Sequence, residues 1–143
     1  MGLLGKIFGS KPQYEPLPEE SEAARQLERL REPLATFVGQ TKDDLELVPA
    51  EQEGYIFVGS PPKRFGIVWI DGDGKLNNFK TLASEKGVSA TRLQDLVREL
   101  SQVYQASTAV TRYSASLEGR PLTVTPSSSL AARLRQVISA ATN

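Results

Sequence analysis

The segment GYIFVGSPPKRFGIVWI, residues 54–70, decides the fold class of this chain. It contains two apolar runs, residues 55–58 and 65–70, separated by Gly, Ser, two Pro and two basic residues. Short runs of β-branched and aromatic residues bounded by Gly and Pro are typical of β-strands. Because the connection is too short for a crossover, the two strands are predicted to be antiparallel neighbours. The second run is apolar at consecutive positions, which indicates burial on both faces and predicts a central strand.

Further strand-like runs lie on both sides of this hairpin. They occur at residues 45–48, 76–82, 109–117 and 122–125. Turn-forming residues separate them, among them Asp-Gly-Asp-Gly at 71–74 and Glu-Gly-Arg at 118–120. The first of these turns resembles the start of a calcium loop, but the ligands that such a loop needs further along the chain are missing. Both stretches therefore predict turns between antiparallel strands.

Three helices are predicted from apolar residues that recur at helical spacing. The stripe of the first consists of Ala23, Leu27, Leu30, Leu34 and Phe37. Pro33 is expected to kink or split this helix, because its ring clashes with the preceding turn. The apolar stripe of the second helix lies within residues 93–104, with Ser89 as the N-cap, and that of the third lies within residues 130–138, with Thr125 as the N-cap and Pro126 as the first helical residue.

Together these elements predict an α+β fold. An antiparallel sheet of about five to six strands is expected to be packed by about two to three helices, in the order α-β-β-β(β)-α-β-β-α. Residues 1–18 are interpreted as a flexible N-terminal amphipathic segment with a Pro-rich tether, and residues 19–143 as a single domain. The element order resembles that of small type III secretion chaperones, and this resemblance implies a dimeric protein-binding domain.

The residue inventory excludes several classes of function. The chain contains neither Cys nor His, which excludes thiol chemistry, disulfides, Cys/His metal sites and imidazole catalysis. Its 17 basic and 17 acidic residues give no excess positive charge of the kind that nucleic-acid-binding domains use. We therefore expect no cofactor and no nucleic-acid partner. An enzyme that uses carboxylates, Tyr or Lys is the least favoured of three hypotheses, and the neutral balance leaves self-association open.

Two groups of residues are candidates for contact with other molecules. The first group would share one face of a helix and consists of Leu3, Leu4, Ile7 and Phe8. Such a face can bind a membrane surface, a partner or the chain's own domain. The second group, Lys63 and Arg64, follows two prolines and precedes Phe65. It is the candidate contact for an anion, and a solvated turn is the alternative.

These features favour a non-enzymatic protein-interaction module, an adaptor or chaperone-like protein that forms a homodimer and binds another protein. The alternative is a peripheral membrane-associated regulator that touches the membrane surface through its N-terminal segment. That segment has no apolar run long enough for a signal peptide or a membrane span. The expected location is the cytoplasm, or the inner face of the membrane in the alternative.

Overall fold

The computed structural model describes residues 14–142. The candidate contacts Leu3, Leu4, Ile7 and Phe8 lie outside the described residues. The described chain forms α1 (Glu22–Gln40), β1 (Leu45–Pro49), β2 (Gly54–Ser60), β3 (Arg64–Ile70), β4 (Leu76–Asn78), α2 (Phe79–Lys86), α3 (Ala90–Gln105), β5 (Tyr113–Leu117), β6 (Arg120–Val124) and α4 (Ser128–Thr142). The α+β class and the predicted element order are confirmed, with α2 as one additional short helix. None of these helices combines the length and the apolar character that a membrane crossing requires.

The strands form one sheet in the order β4-β3-β2-β1-β6-β5. All neighbouring strands are antiparallel except β1 and β6, which are parallel. The sheet is therefore mixed, whereas the sequence predicted antiparallel strands throughout. Short connections constrain only strands that follow each other directly, and β1 and β6 are separated along the chain by four strands and two helices.

β3 is an interior strand of the sheet rather than its centre. β1 and β2 occupy the middle, and all five residues of β1 are buried. Consecutive apolar residues indicate burial on both faces, and this also holds for a strand one place from the edge. The prediction of β3 as the central strand was therefore wrong by one position. Trp69 in β3 belongs to the core.

Helices cover the two faces of the sheet unequally. On one face, here called the α3/α4 face, α3 and α4 pack with Leu82 of α2 on a strand layer of Val48, Tyr55, Phe57, Ile67 and Trp69. On the other, the α1 face, the stripe of α1 packs on Leu45, Leu47, Ile56, Ile70, Leu122 and Val124. Successive residues of each strand alternate between these faces. One helix thus covers the α1 face, whereas two helices and part of a third cover the other face.

The chain between β4 and α3 differs from its predicted structure. A strand was predicted over residues 76–82, but β4 ends at Asn78 and α2 follows. The Asn78 side chain accepts a hydrogen bond from the N–H of Thr81, and the N–H of Asn78 donates to the Thr81 hydroxyl, at 2.9 Å each. This reciprocal cap starts a helix where the apolar residues alone are compatible with a strand. In α1, Pro33 does not split the helix, which continues over its whole length.

The two predicted turns are present. Oδ1 of Asp71 accepts hydrogen bonds from the N–H groups of Asp73 and Lys75, at 3.0 Å each, and so closes the β3–β4 turn. Glu118 and Gly119 connect β5 to β6 with φ values of 52° and 77°. Two successive residues with positive φ match the twist of an antiparallel hairpin, which explains the tight connection.

Helix caps follow the sequence prediction at one helix and depart from it at another. Ser89 caps α3 as predicted. The cap of α4 is Ser127, whose hydroxyl accepts a hydrogen bond from the N–H of Leu130 at 3.1 Å. The prediction of Thr125 as this cap was wrong, because its buried hydroxyl bonds to a side chain of β1 instead.

β5 begins at Tyr113 rather than at residue 109, since turns follow the end of α3.

Candidate functional site

Glu46 is a buried carboxylate in the middle of the sheet. It lies in β1, points to the α3/α4 face and has 8% of its surface exposed. Its Oε1 accepts a hydrogen bond from the hydroxyl of Tyr104 in α3, at 2.6 Å. Its Oε2 accepts from Nε of Arg112 at 2.9 Å and from the hydroxyl of Thr125 at 2.6 Å. We call these four residues the Glu46 cluster.

Arg112, immediately before β5, completes the hydrogen bonding of this cluster. Its Nη1 donates to the carbonyl oxygens of Ser107 and Val110, at 3.1 Å each, and its Nη2 donates to the Ser107 hydroxyl at 3.0 Å. The guanidinium lies 5.3 Å from the ring centroid of Tyr104, a cation–π distance. Within residues 14–142, no buried side-chain nitrogen or oxygen lacks a hydrogen-bond partner. The cluster is therefore a closed, satisfied ion pair.

This hydrogen bonding determines which chemistry the Glu46 cluster can perform. Burial raises the pKa of the Tyr104 hydroxyl, and the hydrogen bond to Glu46 raises it further, so Tyr104 keeps its proton at neutral pH. Both carboxylate oxygens of Glu46 already accept hydrogen bonds, whereas a general base needs an oxygen within reach of a substrate proton. The geometry favours a structural role, in which the cluster ties α3, the segment before β5 and the end of β6 to the sheet.

A cleft of about 320 Å³ lies beside the Glu46 cluster. Tyr14, Asp44, Glu46 and Tyr104 are among the residues that line it, so two carboxylates border one cavity. Proton transfer by Glu46 in this cleft would have to use the lone pair of Oε1 that does not accept from Tyr104. In the part of the chain that the structure describes, no three acidic residues are grouped so as to hold a metal ion.

The two edges of the sheet differ in which parts of the chain pair with them. At the β5 edge, residues 14–17 run alongside the strand: the Leu17 N–H donates to the carbonyl oxygen of Ser114, and the Ser114 N–H donates to that of Glu15, at 2.8 Å each. The Ser114 hydroxyl also donates to the carbonyl oxygen of Tyr14 at 3.1 Å. Leu17 packs against the core of the α1 face. We call residues 14–17 the edge cover.

The opposite edge of the sheet is only half covered. β4 pairs with β3 over residues 68–70, and the chain then enters α2 because Asn78 caps that helix. Within the described residues, no strand pairs with the outer side of β3 over residues 64–67. The backbone N–H and C=O groups of Phe65 and Ile67 point away from β2, and of these two residues Phe65 is half-buried and Ile67 is 2% exposed. We call residues 64–67 the open edge.

An apolar groove lies on the α1 face beside the open edge. It has a volume of about 310 Å³, and its walls include Phe37 of α1, Val58 of β2, Val68 of β3 and Phe79 of α2. Its floor contains Gly66, where an added Cβ would meet no heavy atom within 4 Å. Because Gly66 has no side chain, the space between these walls is not filled, and the groove is open to solvent. We call it the β3-edge groove.

The two candidate anion contacts lie at the start of the open edge. Lys63 is exposed in the β2–β3 turn, and Arg64 is the exposed first residue of β3. Arg64 lies on the α1 face, two positions before Gly66, and the exposed Lys80 lines the β3-edge groove. Neither Lys63 nor Arg64 lines the groove itself. Whether they bind an anion stays a prediction.

Sequence reasoning missed the groove itself. Its walls come from four separate elements, and one of them, Phe79, was assigned to a predicted strand over residues 76–82. The signal that identifies the correct structure is the Asn78-x-x-Thr81 spacing, which is a capping box.

Comparison of this chain with protein families, curated proteins and solved structures finds no match.

Proposed function

We propose that this protein is a non-enzymatic interaction module, of the adaptor or chaperone-like kind, that binds an extended segment of another protein along the open edge. The observation that supports this proposal is the unpaired outer side of β3 next to the β3-edge groove. Exposed edges of sheets recruit further strands, and folded proteins therefore usually cover or blunt them. Here the chain pairs with the β5 edge at Ser114 through its own residues and leaves part of β3 without a strand on its outer side.

Strand addition supplies both affinity and specificity in such a site. Main-chain hydrogen bonds hold the added segment, and pockets for alternate side chains select its sequence. Of the two outward-facing residues in the open edge, Phe65 is half-buried, whereas Ile67 is 2% exposed, so about two hydrogen bonds are available at Phe65, each with a net value of about 0.5–1.5 kcal/mol. Burial of one large apolar side chain in the groove adds about 1.5–3 kcal/mol. After the cost of ordering the segment, the expected dissociation constant is millimolar or weaker.

Site-specific photo-crosslinking in living cells tests the proposal. A photoreactive residue in place of Lys63, next to the open edge, should capture a partner protein, and the same residue in place of the exposed Arg98 on α3 should not. Gly66→Trp fills the groove and should abolish capture at position 63. Gly72→Trp is the matched control, because Gly72 also has open space above it and no positive φ. Equal capture at both positions, or capture that survives Gly66→Trp, would contradict the proposal.

A further inference from the structure

The β3-edge groove and the residues that precede the edge cover fit each other in position, charge and apolar character. We infer that residues 1–13 dock on the α1 face of their own domain, with Phe8 in the β3-edge groove. This segment covers the groove in the free protein, and a partner that needs the groove has to displace it. Only this last consequence rests on the proposed function, because the docking itself needs no partner.

The described chain begins close to the end of the sheet at which the groove lies. Tyr14 lines the cleft beside the Glu46 cluster, and so does Gly59 of β2. The neighbouring residue of β2, Val58, lines the β3-edge groove. Because consecutive Cα atoms are only about 3.8 Å apart, the cleft and the groove flank one short stretch of β2. Tyr14 therefore lies just across the end of the sheet from the groove.

The segment is long enough to pass from the cleft to the groove. The cleft lies on the α3/α4 face and the groove on the α1 face, so the chain must cross the end of the sheet. An extended chain spans about 3.3–3.6 Å per residue, which gives about 20–22 Å between Tyr14 and Phe8. Stacked layers in proteins lie about 10 Å apart, so this length is sufficient for the crossing.

The segment is basic, and acidic residues lie along its route. Residues 1–13 contain two lysines and no acidic residue. Residues 41–44 connect the groove to the cleft, because the first of them lines the groove and the last lines the cleft. This stretch contains the exposed Asp43 and Asp44 and one lysine. Lys11 belongs to the part of the segment that crosses this stretch, where the opposite charges attract each other.

The groove suits a large apolar side chain, and Phe8 is the first such residue along the segment. Residues 9–13, which separate it from the described chain, are Gly, Ser, Lys, Pro and Gln. Phe37 and Phe79 in the walls of the groove are only half-buried, and the space above Gly66 is open. A third aromatic ring between these walls gains both apolar burial and ring contacts.

The covalent connection favours this occupant over a free molecule. A single apolar side chain in an open groove binds at millimolar affinity or weaker when it belongs to a free molecule. A short tether gives an effective concentration of millimolar order, which does not depend on the protein concentration. Docked and undocked molecules are therefore both populated, and a partner that needs the groove binds only the undocked fraction.

NMR of the full chain with labelled methyl groups tests the docking. Phe8→Ser should shift the methyl signals of Val58 and Val68 in the groove, because it removes an aromatic ring from beside them. Leu3→Ser is the matched control, since it changes the far end of the same segment and should leave these signals in place. Gly66→Trp should abolish cross-relaxation between the Phe8 ring and Val58. Identical Val58 and Val68 signals in the natural chain and in Phe8→Ser would overturn the inference.

Two further outcomes would assign the segment elsewhere. Groove signals that change on dilution, together with a dimer in sedimentation velocity, would place the segment of a second copy in the groove and overturn docking within one chain. Phosphatidylglycerol vesicles that bind the natural chain but not Phe8→Ser, without any difference in the groove signals, would assign Phe8 to a membrane surface. That result would likewise overturn the inference.

Partner capture tests the consequence for the proposed function. Deletion of residues 1–12 should raise photo-capture at position 63 about two- to fivefold, because every molecule then has an open groove, and Leu3→Ser should not raise it. Equal capture with and without these residues would contradict displacement of the segment by a partner. Absence of capture in both forms would contradict the proposed function, while the Val58 and Val68 signals still decide whether the segment docks.

Discussion

The β5 edge and the β3 edge of the sheet pose the same physical problem and have different solutions. Both strands would present a row of unpaired N–H and C=O groups to solvent. At β5, residues 14–17 satisfy the backbone N–H and C=O of Ser114, the Ser114 hydroxyl adds a third hydrogen bond, and Ser116 stays exposed. At β3, the chain turns into α2 after Asn78, so that residues 64–67 pair with β2 but with no strand on their outer side. The comparison teaches that the chain can cover an edge with a few residues, so the open edge is not an inevitable result of the topology.

The surroundings of the two edges also differ, in polarity and in how far they are filled. Next to β5, the Glu46 cluster fills the interior with a satisfied ion pair, and Arg112 in that cluster is the residue directly before the strand. Next to β3, the β3-edge groove is apolar and open, and the exposed Lys80 lines it. The interior beside β5 is thus filled by internal contacts, whereas the groove beside β3 is not.

The largest expected effect on stability comes from breaking the Glu46 cluster, which lies on the β5 side of the sheet. Arg112→Ala should lower the free energy of unfolding by about 3–5 kcal/mol, because it leaves the buried carboxylate of Glu46 without its counter-charge. Chemical denaturation followed by circular dichroism measures this loss. Arg98→Ala removes an exposed ion pair with Asp95 and should cost less than about 1 kcal/mol. Equal losses for the two variants would show that the Glu46 cluster does not stabilise the β5 side.

Removal of the edge cover should have the next largest effect. Deletion of residues 1–17 removes the hydrogen bonds to Ser114 and the packing of Leu17, and should cost about 2–4 kcal/mol. Because the deletion also exposes the β5 edge, light scattering should detect self-association. Deletion of residues 1–12 keeps the edge cover and is the matched control. Loss of the same stability in both deletions would contradict the role assigned to residues 14–17.

Hydrogen exchange compares the two edges directly in the intact protein. The amide of Ser114 donates to Glu15 and should be protected, whereas the outward-pointing amide of Phe65 has no strand partner. A hydrogen bond of about 1.4 kcal/mol corresponds to a tenfold difference, so we expect the Phe65 amide to exchange about tenfold faster or more. Exchange at equal rates would mean that the open edge is covered in solution.

The smallest expected effect on stability comes from Asp71 in the β3–β4 turn. This turn sets where β4 begins and therefore where the open edge ends. Burial raises the pKa of Asp71, but hydrogen bonds from Lys75, Asn77 and Asp73 outweigh it, and the pKa lies below its ordinary value. The stabilisation by Asp71 is therefore present above the pKa of the unfolded chain, near pH 4, and is lost as the pH falls through the lower folded value.

Asp71→Ala should accordingly cost about 0.5–1.5 kcal/mol at pH 7 and less at lower pH, since the carboxylate is partly solvated and its interactions are screened. Thermal unfolding at pH 7 and pH 3 measures the difference. Asp73→Ala is the control, because only the backbone N–H of Asp73 takes part in the turn's hydrogen bonds. A stability cost of Asp71→Ala that grows as the pH falls would contradict the predicted pH dependence.

Local signals in the sequence were sufficient for most of the elements. Apolar spacing and turn residues predicted α1, α3, α4 and the two hairpins, because each depends on residues close together in the chain. The parallel pairing of β1 with β6 has no such local signal, since it depends on how distant elements pack. α2 was mistaken for part of a strand because its cap, Asn78, was not weighed against the apolar residues that follow.

The two candidate regions could be predicted only in fragments. Glu46 lies 66 residues from Arg112 and 79 residues from Thr125 in the chain, so the buried cluster exists only after the strands have paired. Lys63 and Arg64 were singled out as candidates for contact, but their apolar neighbours in the groove come from α1, β2, β3 and α2. No periodicity along one segment can reveal a surface that four elements build together.

The most direct test of the open edge as a binding site is a map of contacts by NMR on the full, isotope-labelled chain with the partner segment that photo-crosslinking at position 63 identifies. The account predicts intermolecular contacts between backbone protons of that segment and Phe65, and side-chain contacts at Phe37 and Phe79. Contacts located instead at the β5 edge, or in the cleft beside Glu46, would contradict it.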